Sequence, residues 1–259
     1  MVDWGSNVVQ RLKKSTDAHI PFGIFISSVD PVMTEIAGLA GFDFVILDGE
    51  HSPLDRLAIL NHVRAAEAVG VIALVRGLEN SAAFVQSMLD LGVAGVVLPR
   101  LETPDQARAA VAATRYAPEG MRGMCPACHD GGYTINGFAE HMNRRNRSAM
   151  AIPIVETQKA VQNIEEIVKV EGIDLLLFGP GDLSAEMGLD VARDYHFLND
   201  AWVKVRDAAH AAGKFAFAPV DMGFEGGDAY IASMELIQLR DKLTKTVSAF
   251  RSSSANEGA

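Results

Sequence analysis

The chain has 259 residues, of which 49% are hydrophobic, and its formal net charge is −10 at pH 7. A chain of this length and composition can bury a large core, and its acidic balance argues against a nucleic acid or a membrane surface as a partner. Only two cysteines are present, which excludes a disulfide framework.

Short apolar strands and longer helices are predicted to alternate along the whole chain. The strands are predicted at residues 22–27, 42–48, 71–76, 95–99, 151–156, 173–179, 214–219 and 235–239. Apolar residues at three- and four-residue spacing predict helices between them, at 55–70, 81–92, 103–115, 158–172 and 199–213.

Strict alternation indicates right-handed βαβ units and a parallel sheet. Eight such units in about 250 residues have the size of a (β/α)₈ TIM barrel. The competing fold is a doubly wound open sheet, but no glycine-rich turn follows the first predicted strand. We therefore predict an α/β protein with a single (β/α)₈ barrel over residues 1–250 and a disordered tail over 251–259.

The longest predicted connection runs from Tyr116 to about Ser148 and contains Cys125-Pro-Ala-Cys128-His129. This C-x-x-C-H pattern also occurs at haem attachment sites, in redox dithiols and in zinc half-sites. The N-terminus shows no signal-peptide segment and no run reaches the roughly 18–20 apolar residues of a membrane span, so we expect a cytoplasmic protein and disfavour haem. We interpret the segment as an ordered loop that lines or closes the barrel mouth, with His129 and Tyr133 as candidate substrate contacts.

Charged residues stand where the predicted strands end. In a (β/α)₈ barrel the reacting groups come from these carboxyl ends and the loops that follow them. Five consecutive strands contribute such residues, namely Asp48, Glu50 and His51, then Arg76, then Arg100, then Glu156, and finally Asp182.

Glu156 and Asp182 lie on consecutive strand ends and are predicted to converge. Two carboxylates, with water and substrate oxygens, make an oxygen cage suited to Mg²⁺ or Mn²⁺. The backbone N–H groups of Gly181 and Asp182 would face a bound carboxylate at the start of a helix. Together with Arg76, this site favours a small anionic ligand that becomes more anionic during the reaction, such as an enolate.

His51 is the candidate for acid–base chemistry. It alone among the seven histidines follows a strand end, whereas His62 and His210 fall within helices, where we expect them to be packed or solvated.

Six segments resemble the HpcH/HpaI aldolase family, and the resemblance covers essentially the whole chain. These are class II, metal-dependent pyruvate aldolases of the phosphoenolpyruvate/pyruvate barrel superfamily, and they act on 4-hydroxy-2-oxo acids. The segments are GFDFVILDGEHSP (41–53), ALVRGLEN (73–80), MLDLGVAGVVLPRLETPDQARAAV (88–111), RYAPEGMRG (115–123), PIVETQKAVQNIEEI (153–167) and GIDLLLFGPGDLSAEMG (172–188).

The resemblance implies a role for each matching position. Glu156 and Asp182 correspond to the metal ligands, and Arg76 corresponds to the arginine that steadies the enolate. His51 corresponds to the acid–base histidine and Asp90 to the aspartate that orients it. In the same comparison, Asp48 supports metal-bound waters and the amides of Gly181 and Asp182 hold the pyruvate carboxylate.

The implied reaction is the reversible cleavage of a 4-hydroxy-2-oxo acid, such as 4-hydroxy-2-oxoheptanedioate or 2-dehydro-3-deoxyglucarate, into pyruvate and an aldehyde, with Mg²⁺, Mn²⁺ or Co²⁺. Members are typically homohexamers, trimers of dimers that exchange the last helix, which would make residues 241–250 an intersubunit element. One departure concerns the loop after residue 123, which has no cation until Arg144, whereas members that cleave dicarboxylates carry arginine there. A neutral or differently shaped aldehyde is therefore expected.

Three alternatives stay open at this point. A Schiff-base aldolase needs a desolvated lysine at the barrel mouth, and Lys159, the least remote lysine, falls in the helix after Glu156. A related barrel lyase would act on a CoA thioester or a citrate-like acid. A redox or haem module would use the C-x-x-C-H segment instead.

Overall fold

Eight parallel strands close into one barrel, in a computed structural model that describes residues 19–190 and 193–256. They follow chain order around the barrel, and β1 pairs with β8 to close it. The strands are β1 (Phe22–Ile26), β2 (Phe44–Asp48), β3 (Ile72–Arg76), β4 (Gly95–Leu98), β5 (Met150–Val155), β6 (Leu175–Phe178), β7 (Phe215–Pro219) and β8 (Ala229–Ala232). The predicted (β/α)₈ barrel is confirmed, while the parts of the predicted domain and tail at residues 1–18, 191–192 and 257–259 lie outside the described residues.

Helices connect the strands and pack around them. They are α1 (Val32–Leu39), α2 (Arg56–Val69), α3 (Ala82–Leu89), α4 (Pro104–Thr114), α5 (Phe138–Ser148), α6 (Gln158–Gln162), α7 (Ile164–Ile167), α8 (Pro180–Glu186), α9 (Asn199–Ala211) and α10 (Glu235–Asn256). Side chains cap several of these helices. At the start of α4, the Thr103 hydroxyl accepts from the backbone N–H of Gln106, and the Gln106 side chain accepts from the backbone N–H of Thr103. No helix within the described ranges is long and apolar enough to cross a membrane.

The prediction of the eighth strand at 235–239 is wrong. The strand is Ala229–Ala232, and Glu235 begins α10. The physical reason is that a short apolar run reads equally well as a strand or as a buried piece of helix, and only packing decides between them. The helix then continues to Asn256, so residues 251–256 are helical and not the disordered tail we expected.

Side chains fill the barrel interior. Phe44 and Ile46 of β2 point inward with Leu74, Ile152 and other apolar residues, whereas Val45 and Leu47 face the helices. The Phe44 ring lies over Gly23, where a Cβ atom would come within 2.2 Å of it. Because the interior is packed, a ligand has room only at the ends of the barrel.

Candidate active site

Asp48 and Arg76 form a buried pair at the carboxyl ends of β2 and β3. They are partners in the strand register, and Arg76 Nε donates to Asp48 Oδ1 at 2.9 Å. Arg76 Nη2 lies 2.9 Å from the same oxygen but makes no hydrogen bond, and it is buried. The Arg76 guanidinium also lies over the ring of Phe25, 4.9 Å from its centroid. The guanidinium is thus held in place while one of its nitrogens keeps its donor capacity.

The turn after β2 wraps around the Asp48 carboxylate. The backbone N–H groups of Glu50 and His51 donate to Asp48 Oδ1 at 3.1 and 3.2 Å. Gly49 donates to the Arg76 carbonyl at 3.0 Å, and a Cβ atom at this position would lie 2.8 Å from that oxygen. Only glycine therefore fits between the two strand ends, and the turn carries Glu50 and His51 over Arg76.

Glu156 follows β5 and is 4% exposed. Burial raises the pKa of its carboxyl to about 7, and the negative charges of Asp182 and Glu50 act in the same direction, against the Arg100 amide and the Arg76 charge. The Arg100 N–H donates to Glu156 Oε1 at 2.7 Å, from a residue with φ of 50°, a left-handed conformation that is uncommon outside glycine. Glu156 is thus fixed by backbone contacts near two other carboxylates.

Asp182 lies in the first turn of α8 and is exposed, as is Gly181 before it. A Cβ atom at Gly181 would meet no other atom within 4 Å, so the space beside this backbone is open. The Gly179 N–H donates to the Val155 carbonyl at 3.0 Å, and a Cβ atom at Gly179 would lie 3.3 Å from Glu156 Oε2. The start of α8, which carries Asp182, therefore lies beside Glu156, and the charge of Asp182 contributes to the raised pKa of Glu156.

The donor set at the mouth fits a divalent cation. Glu156 stands near the negative charges of Asp182 and Glu50 with Arg76 as the opposing cation, and Asp48 Oδ2 is buried without a hydrogen-bond partner. A cation would offset this excess of negative charge. No group of three or more His, Cys, Asp or Glu in residues 19–190 and 193–256 forms a preassembled metal site. The protein would therefore supply two carboxylates and leave the remaining positions to water and substrate, as Mg²⁺ sites commonly do.

His51 and Asp90 do not meet within one chain. His51 lies at the mouth, with 58% of its side chain exposed. Asp90 follows α3, which ends at the opposite face because helices run antiparallel to the strands in this fold. There Asp90 Oδ1 accepts from Arg122 Nη2 at 2.8 Å. The prediction that Asp90 orients His51 is therefore wrong for a single chain.

The segment with the C-x-x-C-H pattern also lies at the opposite face, so the prediction that it lines the mouth is wrong within one chain. It leaves α4 and leads to β5, which places it at the amino ends of the strands. His129 Nε2 lies 2.8 Å from Oε1 of Glu67, in the last turn of α2. Tyr133 is exposed and its ring lies edge-on to His129, 6.3 Å between centroids. Neither candidate substrate contact reaches the mouth of its own barrel.

Cys125 and Cys128 are free thiols, and Cys128 makes its hydrogen bonds within the loop. The Cys128 thiol donates to the Cys125 carbonyl at 3.0 Å and accepts from the Gly131 amide at 3.3 Å. Burial raises the pKa of the Cys128 thiol, which makes it a poor nucleophile and a poor metal ligand at neutral pH. The contacts favour the packing of an ordered loop over zinc, haem or dithiol chemistry.

A buried ionic cluster holds this loop, and sequence analysis missed it. Asp130 is 7% exposed and its carboxylate lies 2.8 Å from Arg122 Nη2 and 2.9 Å from Arg145 Nε. Arg145 also donates to the Val93 carbonyl at 2.8 Å. The only signal in the sequence was the length of the connection, because its charges are spread over more than twenty residues.

A second network ties α10 to the β1–α1 loop. The buried carboxylate of Glu235 accepts from the amides of Ser27 and Ser28, at 2.7 to 3.0 Å. The Ser28 carbonyl in turn lies 2.9 Å from Nε2 of His62, whose pKa is lowered by burial. His62 is thus packed in the interior, as we predicted for this helical residue.

Comparison with known proteins identifies the family. The family model described as HpcH/HpaI aldolase/citrate lyase matches residues 21–239. A hydroxypyruvate/pyruvate aldolase of Deinococcus radiodurans is 35% identical over 74% of this chain and 70% of its own length. A 2-keto-3-deoxy-L-rhamnonate aldolase of Escherichia coli is 30% identical over 94% of this chain and 92% of its own.

A solved structure gives the same result. It is that of an HpcH/HpaI aldolase/citrate lyase family protein from Burkholderia cenocepacia, with a TM-score of 0.85 and 25% identity over 94% of this chain and 98% of that one. The resemblance noted in the sequence is thereby confirmed, and the predicted class of enzyme, a lyase of the aldolase type, agrees with the relatives. The chain belongs to the HpcH/HpaI aldolase/citrate lyase family.

Proposed function

We propose that this protein is a class II pyruvate aldolase, which reversibly cleaves a 4-hydroxy-2-oxo acid into pyruvate and an aldehyde. The observation that carries the proposal is the position of buried Glu156 and exposed Asp182, after the neighbouring strands β5 and β6, at the same end of the barrel as the Asp48–Arg76 pair. A catalyst for this reaction must neutralise an enolate and move a proton. The cation held by the carboxylates, together with Arg76, can neutralise the enolate, and His51 can move the proton.

Glu156 and Asp182 are the residues that would hold the divalent metal, Mg²⁺, Mn²⁺ or Co²⁺. When bound, such a cation acts as a Lewis acid toward the oxygens of a 2-oxo acid. Burial raises the pKa of the Glu156 carboxyl, which disfavours its ionised form. A cation bound beside the carboxyl would stabilise the ionised form again.

Arg76 would stabilise the charge that develops on the enolate oxygen. Asp48 holds its guanidinium through an ion pair of 2.9 Å, and the Arg76 side chain is 12% exposed. The charge is thus fixed at the mouth before the enolate forms. The amides of Gly181 and Asp182, beside open space at the start of α8, are our candidates for binding the pyruvate carboxylate.

His51 would remove the proton from the C4 hydroxyl. The C3–C4 bond then breaks, its electron pair passes into the enolate, and the aldehyde leaves. Protonation of the enolate at C3 gives pyruvate. The exposure of His51 supports this role because the ring is accessible to a substrate that enters from solvent.

The aldehyde is proposed to be small, neutral and hydroxylated. The sugar-acid relative supports this choice, as does the absence of arginine from residues 124–143. Since this loop lies at the far face of its own barrel, it could select the aldehyde only across a contact between copies of the chain.

The last helix supports such an assembly, and we retain the hexamer, a trimer of dimers, as a proposal. Residues 236–252 are all exposed, and Leu236, Leu239, Leu243 and Val247 line one apolar groove along α10. Helix α1 also exposes apolar residues, Val32, Ile36 and Leu39. Exposed apolar helix faces are typical of contacts between subunits. Light scattering should therefore report an oligomer that dissociates on Leu243→Glu but not on Lys245→Glu.

The function is tested with a panel of aldehydes mixed with pyruvate and Mg²⁺, Mn²⁺ or Co²⁺, before and after a chelator. We expect aldol addition that is lost with chelation and restored by metal. Full turnover after exhaustive chelation would overturn the proposal, and turnover of citrate or a CoA thioester in place of aldols would favour the alternative lyase. A Schiff-base mechanism is disfavoured because Lys159 is solvent-exposed and ion-paired with Glu102 at 3.0 Å, whereas such a lysine must be desolvated. Borohydride with pyruvate should therefore trap nothing.

A further inference from the structure

Glu50 lies between the two groups that the proposed reaction needs most. Its Oε2 is 3.5 Å from Arg76 Nε and 3.7 Å from His51 Nε2. Its side chain is 18% exposed, while that of His51 is 58% exposed. Oε2 of Glu50 is therefore shared between His51, the proposed base, and the guanidinium of Arg76, which would bind the enolate. The Glu50 carboxylate is largely shielded from water, whereas the His51 ring is not.

We propose that Glu50 is a positioning residue that sets the tautomer of His51 and couples its orientation to that of Arg76. The inference rests on the proposed aldolase function. It assigns to Glu50 the task that the sequence had suggested for Asp90.

Two further aspartates, Asp48 and Asp90, make their contacts with other groups. Asp48 Oδ1 accepts from Arg76 and from two backbone amides, and Asp90 is paired with Arg122 at the far face. Among the ion pairs of the described residues, the one that contains His51 is its pair with Glu50. Catalytic contacts are often long in a ligand-free site and shorten when substrate binds, which suits a separation of 3.7 Å.

The contact selects which nitrogen of His51 does the chemistry. With its Nε2 proton directed at Glu50, the neutral ring has a free lone pair on Nδ1. The C4 hydroxyl proton then passes to Nδ1, and the C3–C4 electron pair passes into the enolate beside Arg76. The imidazolium formed in this step lies beside the carboxylate of Glu50, which takes no part in the proton transfer.

Two reactions separate this role from a purely structural one. Aldol cleavage needs both the base and the enolate site, whereas oxaloacetate loses CO₂ to give the same enolate with no hydroxyl proton to remove. Glu50→Ala should lower kcat for cleavage about ten- to a hundredfold, the range for one lost interaction with a charged group, and leave the KM for the 4-hydroxy-2-oxo acid within about threefold. Decarboxylation should fall less than cleavage. Glu166→Ala, which removes an exposed partner of Lys169, is the matched control and should match the wild type in both reactions.

A double-mutant cycle with His51→Ala completes the test. If Glu50 acts through His51, then Glu50→Ala should cost less than about threefold in cleavage when His51 is already absent. Unchanged cleavage in Glu50→Ala, an additive loss in the double variant, or an equal fall in both reactions would each overturn the inference while leaving the aldolase proposal intact. A wild-type protein that cleaves no 2-oxo acid would overturn both.

Discussion

Arg76 Nε and Asp48 Oδ1 lie 2.9 Å apart on neighbouring strands, and the Asp48 side chain is completely buried. The pair is therefore shielded from water and its geometry is set by the strand register itself. Removing one member of such a pair leaves the other charged and unpaired, which is costly.

Arg76→Lys should lower kcat by about a hundred- to a thousandfold, the usual loss for one donor to a developing oxyanion. Lysine keeps the charge but has a single nitrogen, so it cannot hold Asp48 through one nitrogen while another nitrogen, fixed in the same plane, faces the substrate. Steady-state kinetics of cleavage and of oxaloacetate decarboxylation should show the same loss, since both pass through the enolate. Arg108→Lys, in an exposed pair with Asp105, is the control and should behave as wild type. Decarboxylation at the wild-type rate in Arg76→Lys would contradict the assignment.

Glu156→Gln should abolish Mn²⁺ binding and turnover together. The amide has the same shape and can still accept from the Arg100 N–H, so the fold should persist while the charge that holds the cation is lost. Isothermal titration with Mn²⁺ measures the binding directly and without reference to activity. Glu102→Gln is the control, because Glu102 pairs with Lys159, and this variant should bind Mn²⁺ as the wild type does. Equal affinity in Glu156→Gln would show that the metal lies elsewhere.

The residues at the strand ends could be predicted from the sequence because a closed parallel barrel converts chain order into position. Once β2, β3, β5 and β6 are recognised, Asp48, Arg76, Glu156 and Asp182 have to converge at one face. Nothing beyond topology is needed for this part of the site.

The errors have a different origin. The length of the C-x-x-C-H loop suggests a functional place at the mouth, although a connection from helix to strand lies at the amino ends of the strands. The same rule would have placed Asp90, at the end of α3, far from His51. The position of Glu50 between Arg76 and His51 depends on side-chain rotamers, and those follow from packing that periodicity does not reveal.

Glu235→Ala should lower the free energy of unfolding by about 2–4 kcal/mol, because the amides of Ser27 and Ser28 would lose their acceptor inside the protein. The midpoint of urea denaturation measures this change. Glu235→Gln keeps an acceptor oxygen and should lose less. An exposed residue of the same helix, Gln238, provides the control, and Gln238→Ala should stay within about 0.5 kcal/mol of the wild type. Equal stability of all three variants would mean that Glu235 does not hold the β1–α1 loop.

The Asp130 cluster should make the protein sensitive to acid. Burial alone would raise the pKa of this carboxyl, but the charges of Arg145 and Arg122 and a hydrogen bond from His141 more than offset it, so the pKa is well below its usual range. A carboxyl with a depressed pKa stabilises the fold above the pKa of the unfolded chain, about 3.9, and this contribution is lost as the pH falls below that value.

Asp130→Asn should therefore cost about 3–5 kcal/mol at pH 7, since it leaves two buried guanidinium groups without their shared partner. The difference from the wild type should shrink as the pH falls from about 4 toward 2, because the Asp130 carboxyl of the unfolded wild-type chain is protonated in this range while the folded carboxyl, with its lowered pKa, stays ionised. Urea unfolding at a series of pH values measures both quantities. Asp105→Asn, at an exposed carboxylate, should show a difference that is small and nearly independent of pH. A constant difference between Asp130→Asn and the wild type across this range would show that the aspartate contributes by packing and not by its charge.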